Sequence, residues 1–171
     1  MVYSNIDIKE LIKRGEISIT PLKEEQIGSA SVDLTLSDEW YFFKSGLVGK
    51  TVDLKKTGFK KSLIKRKAKS ITLKHGEMCL GKTVEKITIA DDIIGELEGR
   101  SRYARMGLSV HITSALIQPG SSNHQILEIV NFAPFAVKLH AGMRISQALF
   151  DRLETKTSKP YRIFGSIAKK Q

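Results

Sequence analysis

Apolar and polar residues alternate strictly in SVDLTL, which puts Val32, Leu34 and Leu36 on one face of an extended chain and Ser31, Asp33 and Thr35 on the other. A half-buried strand is expected there. Similar patterns predict strands at residues 40–43, 78–83, 108–112, 126–132, 137–139 and 145–150, separated by turns at Gly76, Gly107, Pro119-Gly120, Pro134 and Gly142. Only the start of the chain has helical spacing. Ile8, Leu11 and Ile12 share a face, Ser4 or Asn5 stands at the N-cap, and Gly15 sits where a left-handed terminator belongs. Many short strands with few helices predict a mainly β barrel or sandwich-like domain. The Pro119-Gly120 turn further predicts that 108–112 and 126–132 pair as neighbouring strands.

At 171 residues the chain is long enough for one sizeable core and too short for two ordinary domains, so residues 1–171 form one expected domain. Its net charge of +10 invites a nucleic-acid interpretation, but eight of the 28 basic residues lie in 55–70, and outside that segment 20 bases face 18 acids. With only Phe59 interleaved, residues 55–70 are expected to form a basic, solvated surface loop and not a nucleic-acid platform. Residues 158–171, polar and glycine-containing, are expected to form a tail. No stretch approaches a membrane span and the first residues lack a secretory apolar run, so a cytoplasmic location is expected. Cys79 is the only cysteine, the four histidines show no metal-site spacing, and the H-x-E with C-x-x-C pattern is missing; no protein-bound zinc or other metal is expected.

Two segments carry candidate chemistry. In GRSRYARMGL, residues 99–108, Ser101 is a suitable N-cap for one helical turn over Tyr103 to Met106, closed by Gly107. Arg100, Arg102 and Arg105 converge there with backbone N–H groups, as an anion site requires; a capped turn with exposed arginines is the alternative. In HQILEIVNF, residues 124–132, Ile126, Glu128 and Val130 lie opposite Leu127 and Ile129, so both faces are apolar and Glu128 is hard to place in water. Such a carboxylate either accepts hydrogen bonds or raises its pKa, which suits a general acid and base; a structural pairing with arginine is the alternative. His111 and Thr113 share a face of their expected strand and are candidates to line a pocket.

The order and spacing of DIKELIKRGEISITPL, SASVDLTL, the run from HGEMCLGKTV to SALIQPG, ILEIVNFAPFAVKLHAGMRISQALF and PYRIFGS resemble the dCTP deaminases and the related archaeal dUTPases over nearly the whole chain except the basic insertion. The resemblance implies a β-clip fold, a dUTPase-like distorted barrel or jelly roll with a short N-terminal helix and one short helix near 101–106. It also implies homotrimers, or hexamers, with sites between subunits closed by the C-terminal tail. It casts Arg100, Ser101, Arg102, Tyr103, Ala104 and Arg105 as the triphosphate-binding turn, with Ser101 and Arg105 also near the reaction. Ile126, Leu127 and Glu128 correspond to the stretch that contacts the pyrimidine, with Glu128 the acid and base. His111 and Thr113 match residues near the water and sugar, Tyr161 lies beside the nucleotide, and Phe164, Gly165 and Ser166 cover the base.

The activity implied is hydrolytic deamination of dCTP to dUTP and ammonia, with magnesium carried on the triphosphate and no metal in the proton relay. The alternatives are a dUTPase or bifunctional enzyme giving dUMP, and a catalytically degenerate nucleotide-binding paralogue. Departures from the family pattern bear on the choice. Gln118 stands where the family usually has an aspartate, and an amide cannot take a proton from the hydrolytic water as the dUTPase aspartate does. Gln118 can still bond the deoxyribose 3′-hydroxyl. The aromatic and glycine that normally follow are replaced within SSNH, Arg102 replaces a small hydroxyl residue, and the tail is shortened between Tyr161 and Gly165.

Overall fold

The computed structural model describes residues 1–165. Helix α1 (Asn5–Lys13) opens the chain, capped by Ser4, whose side chain accepts the Asp7 N–H while the Asp7 carboxylate accepts the Ser4 N–H. Ile8 and Leu11 are buried and the chain leaves the helix at Gly15. Strands β1 (Ile17–Thr20) and β2 (Val32–Phe43) follow; the stretches expected at 31–36 and 40–43 are one continuous strand. Val32, Leu34, Leu36 and Trp40 of β2 are fully buried, each such side chain contributing about 1.5–3 kcal/mol through removal of apolar surface from water.

The remainder runs through a short helix α2 (Phe59–Ser62), β3 (Leu63–Lys67), β4 (Ser70–Leu73), β5 (Met78–Ile89), β6 (Ile93–Gly99), the one-turn helix α3 (Ser101–Ala104), β7 (Leu108–Ser109), β8 (Leu116–Ile117), β9 (Ser122–Asn131), β10 (Val137–His140), β11 (Arg144–Arg152) and α4 (Tyr161–Phe164). Among the described residues nine strands form one curled sheet in the order β7-β9-β5-β2-β11-β6-β8, with β1 on β5 and β3 on β2, while β4 and β10 pair separately. The mainly β, dUTPase-like expectation holds. Its hinge is β2, whose first half pairs with β11 and whose second half pairs with β5 and β3, so the sheet turns over on itself around the buried Trp40.

Two expectations need correction. The basic segment is not a plain solvated loop. It contains α2 and the edge strand β3, paired with β2 from Glu39↔Lys67 to Phe43↔Leu63. The pairing is anchored by Glu39, which lies 2.9 Å from the Lys65 ammonium and 3.4 Å from that of Lys82; the Lys65 hydrogen bond holds its carboxyl below the usual carboxylate range. Lysines on such an edge discourage pairing with another chain's strand.

The strand expected over 108–112 stops at Ser109. There the Ser109 hydroxyl donates to the His111 carbonyl at 2.8 Å, and the Ile112 N–H is taken by Glu128, so side chains replace the ladder. Leu108 and Ser109 do pair with Asn131 and Val130 of β9, but the intervening β8 crosses to pair with β6, so the two strands are not a simple hairpin.

Candidate active site

A cleft of about 480 Å³ opens where β9, the 113–118 segment and the start of α4 meet. Thr113, Gln118, Ile126, Glu128 and Tyr161 all line it. Glu128 reaches it because β9 alternates: Leu127 and Ile129 on the opposite face are fully buried, which turns the half-buried Glu128 outward. One carboxylate oxygen, Oε2, accepts the Ile112 N–H at 3.1 Å, and Oε1 makes no hydrogen bond among the described residues. One oxygen is thus positioned and the other is free to exchange a proton. Among the described residues that line this cleft there is no lysine or arginine, and Glu128 is the one carboxylate.

The floor is a clamped turn. Gly120 takes φ +72°, and its N–H donates to the Ala90 carbonyl at 3.1 Å. A Cβ on Gly120 would come within 2.7 Å of both Asp91 Oδ1 and Pro160 Cβ, so only glycine fits there. The Pro119 carbonyl accepts the Tyr161 N–H at 2.9 Å, which docks the tail on this turn and presents Tyr161 to the cleft. The dock is reinforced by the Arg162 guanidinium, which donates to both oxygens of Asp91, and by Lys156 Nζ at 3.6 Å from Asp91 Oδ2. The tail is therefore packed and not free along 160–165.

The Arg162 hydrogen bonds, and secondarily the charges of Arg162 and Lys156, hold the Asp91 carboxyl below the usual carboxylate range. Its folded value lies below its unfolded one, so the pairing contributes fully above about pH 4 and is lost as pH falls through the lowered value. Replacing Asp91 with Asn is expected to speed tryptic cleavage after Lys156 and Arg162 roughly two- to fivefold at neutral pH, since Arg162 is largely exposed and water screens the pair. An unchanged cleavage rate would mean that Pro160 and Tyr161 hold the tail alone.

The other sequence candidates lie apart from this cleft. Ser101 is the first helical residue and not the N-cap of α3, which is Arg100 and makes no side-chain capping bond. The turn nevertheless forms and ends at Gly107 (φ +79°), where a Cβ would sit 2.7 Å from the Ala133 nitrogen. Ser101, Arg102, Ala104 and Arg105 are exposed, and Tyr103 packs against the core. Arg100 is engaged internally: Nε lies 3.2 Å from Asp33 Oδ1 and Nη1 donates to the Arg144 carbonyl at 3.0 Å. His111 lines a separate depression with Glu98 and Ala104; its Nε2 is 3.7 Å from the Glu98 carboxylate, and its buried Nδ1 has no hydrogen-bond partner among the described residues. Because the strand ends early, His111 and Thr113 do not share a face as expected.

Leu127 can contribute only backbone, its side chain being core. Phe164 is exposed and meets the Tyr161 ring edge-on at 5.8 Å, and Gly165 is buried with its N–H on the Tyr161 carbonyl at 2.8 Å; neither lines the cleft, and Ser166 lies outside the described residues. Sequence reasoning missed Ser121, Asn123 and Gln125 as lining residues, and Phe59, whose place in a lysine-rich segment hid it. Burial pushes the Cys79 thiol up to about 12, which leaves it inert at neutral pH. Among the described residues no group of three or more His, Cys, Asp or Glu is placed to hold a metal ion, and no helix is long and apolar enough to cross a membrane.

This arrangement has known counterparts. A dCTP deaminase from Thermomicrobium roseum is 34% identical over 169 residues, covering 95% of this chain and 85% of that protein. A dUMP-forming dCTP deaminase from Methanopyrus kandleri is 36% identical over 168 residues, covering 94% and 86%. Among solved structures, the 2′-deoxycytidine 5′-triphosphate deaminase of Agrobacterium tumefaciens superposes with a TM-score of 0.68 at 19% identity over 87% of this chain, which spans about half (47%) of that one. The EIAV dUTPase superposes with a TM-score of 0.54 at 16% identity, covering 85% and 93% of the two chains. The sequence profile of the dCTP deaminase-like family matches residues 2–153, and the chain belongs to that family.

Proposed function

We propose that this protein is a dCTP deaminase that hydrolyses the exocyclic C4–N bond of dCTP to give dUTP and ammonia. The observation that carries this is Glu128, a half-buried carboxylate in the cleft wall with one oxygen held by the Ile112 N–H and the other free. Glu128 takes a proton from a water as its oxygen bonds to C4, and passes that proton to ring N3; Glu128 then carries the proton of the new C4 hydroxyl to the amine, which leaves as ammonia while the C4 carbonyl forms. Such a relay contributes about 10²–10⁴-fold, with positioning of water and ring supplying the rest. No metal enters the relay. Magnesium arrives on the triphosphate, held by phosphate oxygens and water.

Among the described residues the cleft lining offers no cation for the phosphates, and the exposed Arg102 and Arg105 belong to a turn outside it. A homotrimer in which α3 of one subunit faces the cleft of the next supplies that charge, with Ser101 and the α3 backbone beside the phosphates. The docked tail sets Tyr161 beside the base.

A second reading, a bifunctional enzyme that continues to dUMP, is favoured by the dUMP-forming name of the Methanopyrus kandleri relative and opposed by Gln118, whose amide cannot serve as a base. Incubation with dCTP and, separately, dUTP in the presence of magnesium, with chromatographic separation of products, tests both. Formation of dUTP from dCTP with dUTP left intact is the expected result. Formation of dUMP from either substrate establishes the second reading, and binding of both nucleotides without product overturns the catalytic role of Glu128.

A further inference from the structure

A second cavity, of about 490 Å³, adjoins the cleft: Phe59, Leu80, Asn123 and Ile126 line both. Its size falls in the range of about 300–1,000 Å³ usual for small-molecule sites. The basic insertion and β5 bring four lysines to it, Lys60, Lys65, Lys82 and Lys86, and β2 adds the Tyr41 ring. No carboxylate is among the described residues that line it. Two neighbouring cavities therefore differ in charge, one with a carboxylate and no cation, the other with four cations and no carboxylate.

The fold holds these cations in place. Lys65 stands opposite Tyr41 in the β2–β3 pairing, with its ammonium 6.0 Å from the Tyr41 ring centre, and Lys82 and Lys86 stand opposite Ile126 and His124 of β9. Their charge is only partly compensated. Glu39 lies 2.9 Å from Lys65, 3.4 Å from Lys82 and 4.0 Å from Lys67, one negative charge against three positive ones, and Lys86 makes no ion pair among the described residues. A cavity lined by one sign of charge concentrates counter-ions, and an anion bound there offsets the mutual repulsion of the lysines.

The rest of the lining narrows the anion. Lysine ammonium groups are compact charges that suit phosphate oxygens. A bare phosphate would leave the rings of Tyr41 and Phe59 and the Leu63 and Leu80 side chains facing water, Phe59 being 49% exposed as it stands. A planar ring joined to phosphates fills both halves of the cavity. We infer that this cavity is a second nucleotide site beside the cleft of Glu128, with the phosphates of a nucleoside triphosphate on Lys82 and Lys86 and its base against Phe59 and Tyr41. The inference does not rest on the deaminase reading.

Stacking on aromatic side chains is tolerant of which base is present, so ATP serves as the probe, and it has no cytosine ring to engage Glu128. The test is calorimetric binding of ATP and of inorganic triphosphate to the wild-type protein, Lys86→Gln and Phe59→Ala, with dCTP turnover of Lys86→Gln measured alongside. ATP is expected to bind the wild type and to bind the exposed-site variant Lys86→Gln about three- to tenfold more weakly, with dCTP turnover unchanged. Phe59→Ala is expected to weaken ATP roughly five- to fiftyfold and inorganic triphosphate by less than about twofold. ATP that does not bind, or that binds Lys86→Gln as well as wild type, overturns the inference. Equal effects of Phe59→Ala on ATP and inorganic triphosphate also overturn it, as does a fall in dCTP turnover on Lys86→Gln, which would make these lysines part of the substrate site. A wild-type protein that does not turn over dCTP overturns the deaminase reading and leaves the ATP measurements to decide this one.

Discussion

Replacing Glu128 with Gln is expected to lower turnover of dCTP by about 10²–10⁴-fold. The substitution is nearly isosteric, and the amide oxygen of Gln can still accept the Ile112 N–H, so the 110–115 segment keeps its anchor. What disappears is the ability of the second oxygen to take a proton from water and return it to N3 and the leaving amine. Binding of dCTP should stay within about threefold of wild type, since the amide keeps the size of the side chain and an acceptor oxygen in the same half-buried position. Single-turnover kinetics with equilibrium binding and thermal melting separate the outcomes. Weaker binding together with a lower Tm would assign Glu128 a structural role, the alternative that its strand position alone leaves open.

The parts of this site that the sequence made legible are those governed by a short-range rule. Alternation in β9 set Glu128 opposite Leu127 and Ile129, and the structure buries those two while turning Glu128 into the cleft, although Val130 on the Glu128 face is buried as well. Ser4, Asp7 and Gly15 bracket α1 as capping chemistry requires, and the Pro-Gly pair at 119–120 makes the expected turn. What stayed hidden depends on long-range pairing. Residues 63–67 are too rich in lysine to suggest a strand, and they become one because Trp40 to Phe43 offer an edge and Glu39 gathers their charge. LSVHI alternates well, yet the strand ends at Ser109 because Ser109 and Glu128 offer the backbone closer partners than a ladder would. Ser121 after Pro-Gly looks like an ordinary turn residue, and its burial follows from a long-range bond, the Ile89 N–H of β5 donating to its carbonyl.

Mixing two inactive variants is expected to restore activity. Arg105→Ala should lose roughly ten- to a hundredfold in kcat/KM if Arg105 makes a charge-assisted hydrogen bond to the triphosphate. That loss is hard to explain within one chain, because Arg105 is exposed on α3 and, among the described residues, neither it nor any other cation lines the cleft of Glu128. In the homotrimer proposed above, each site would take Glu128 from one subunit and Arg105 from its neighbour. Co-refolding Glu128→Gln with Arg105→Ala in equal amounts then leaves about a quarter of the sites with both groups intact, and recovery to about a quarter of wild-type activity is expected. If both groups served a site within one chain, every chain in the mixture would still carry one of the two defects. Recovery would then be nil at any mixing ratio, so the assay measures the topology of the site independently of how strongly either residue contributes.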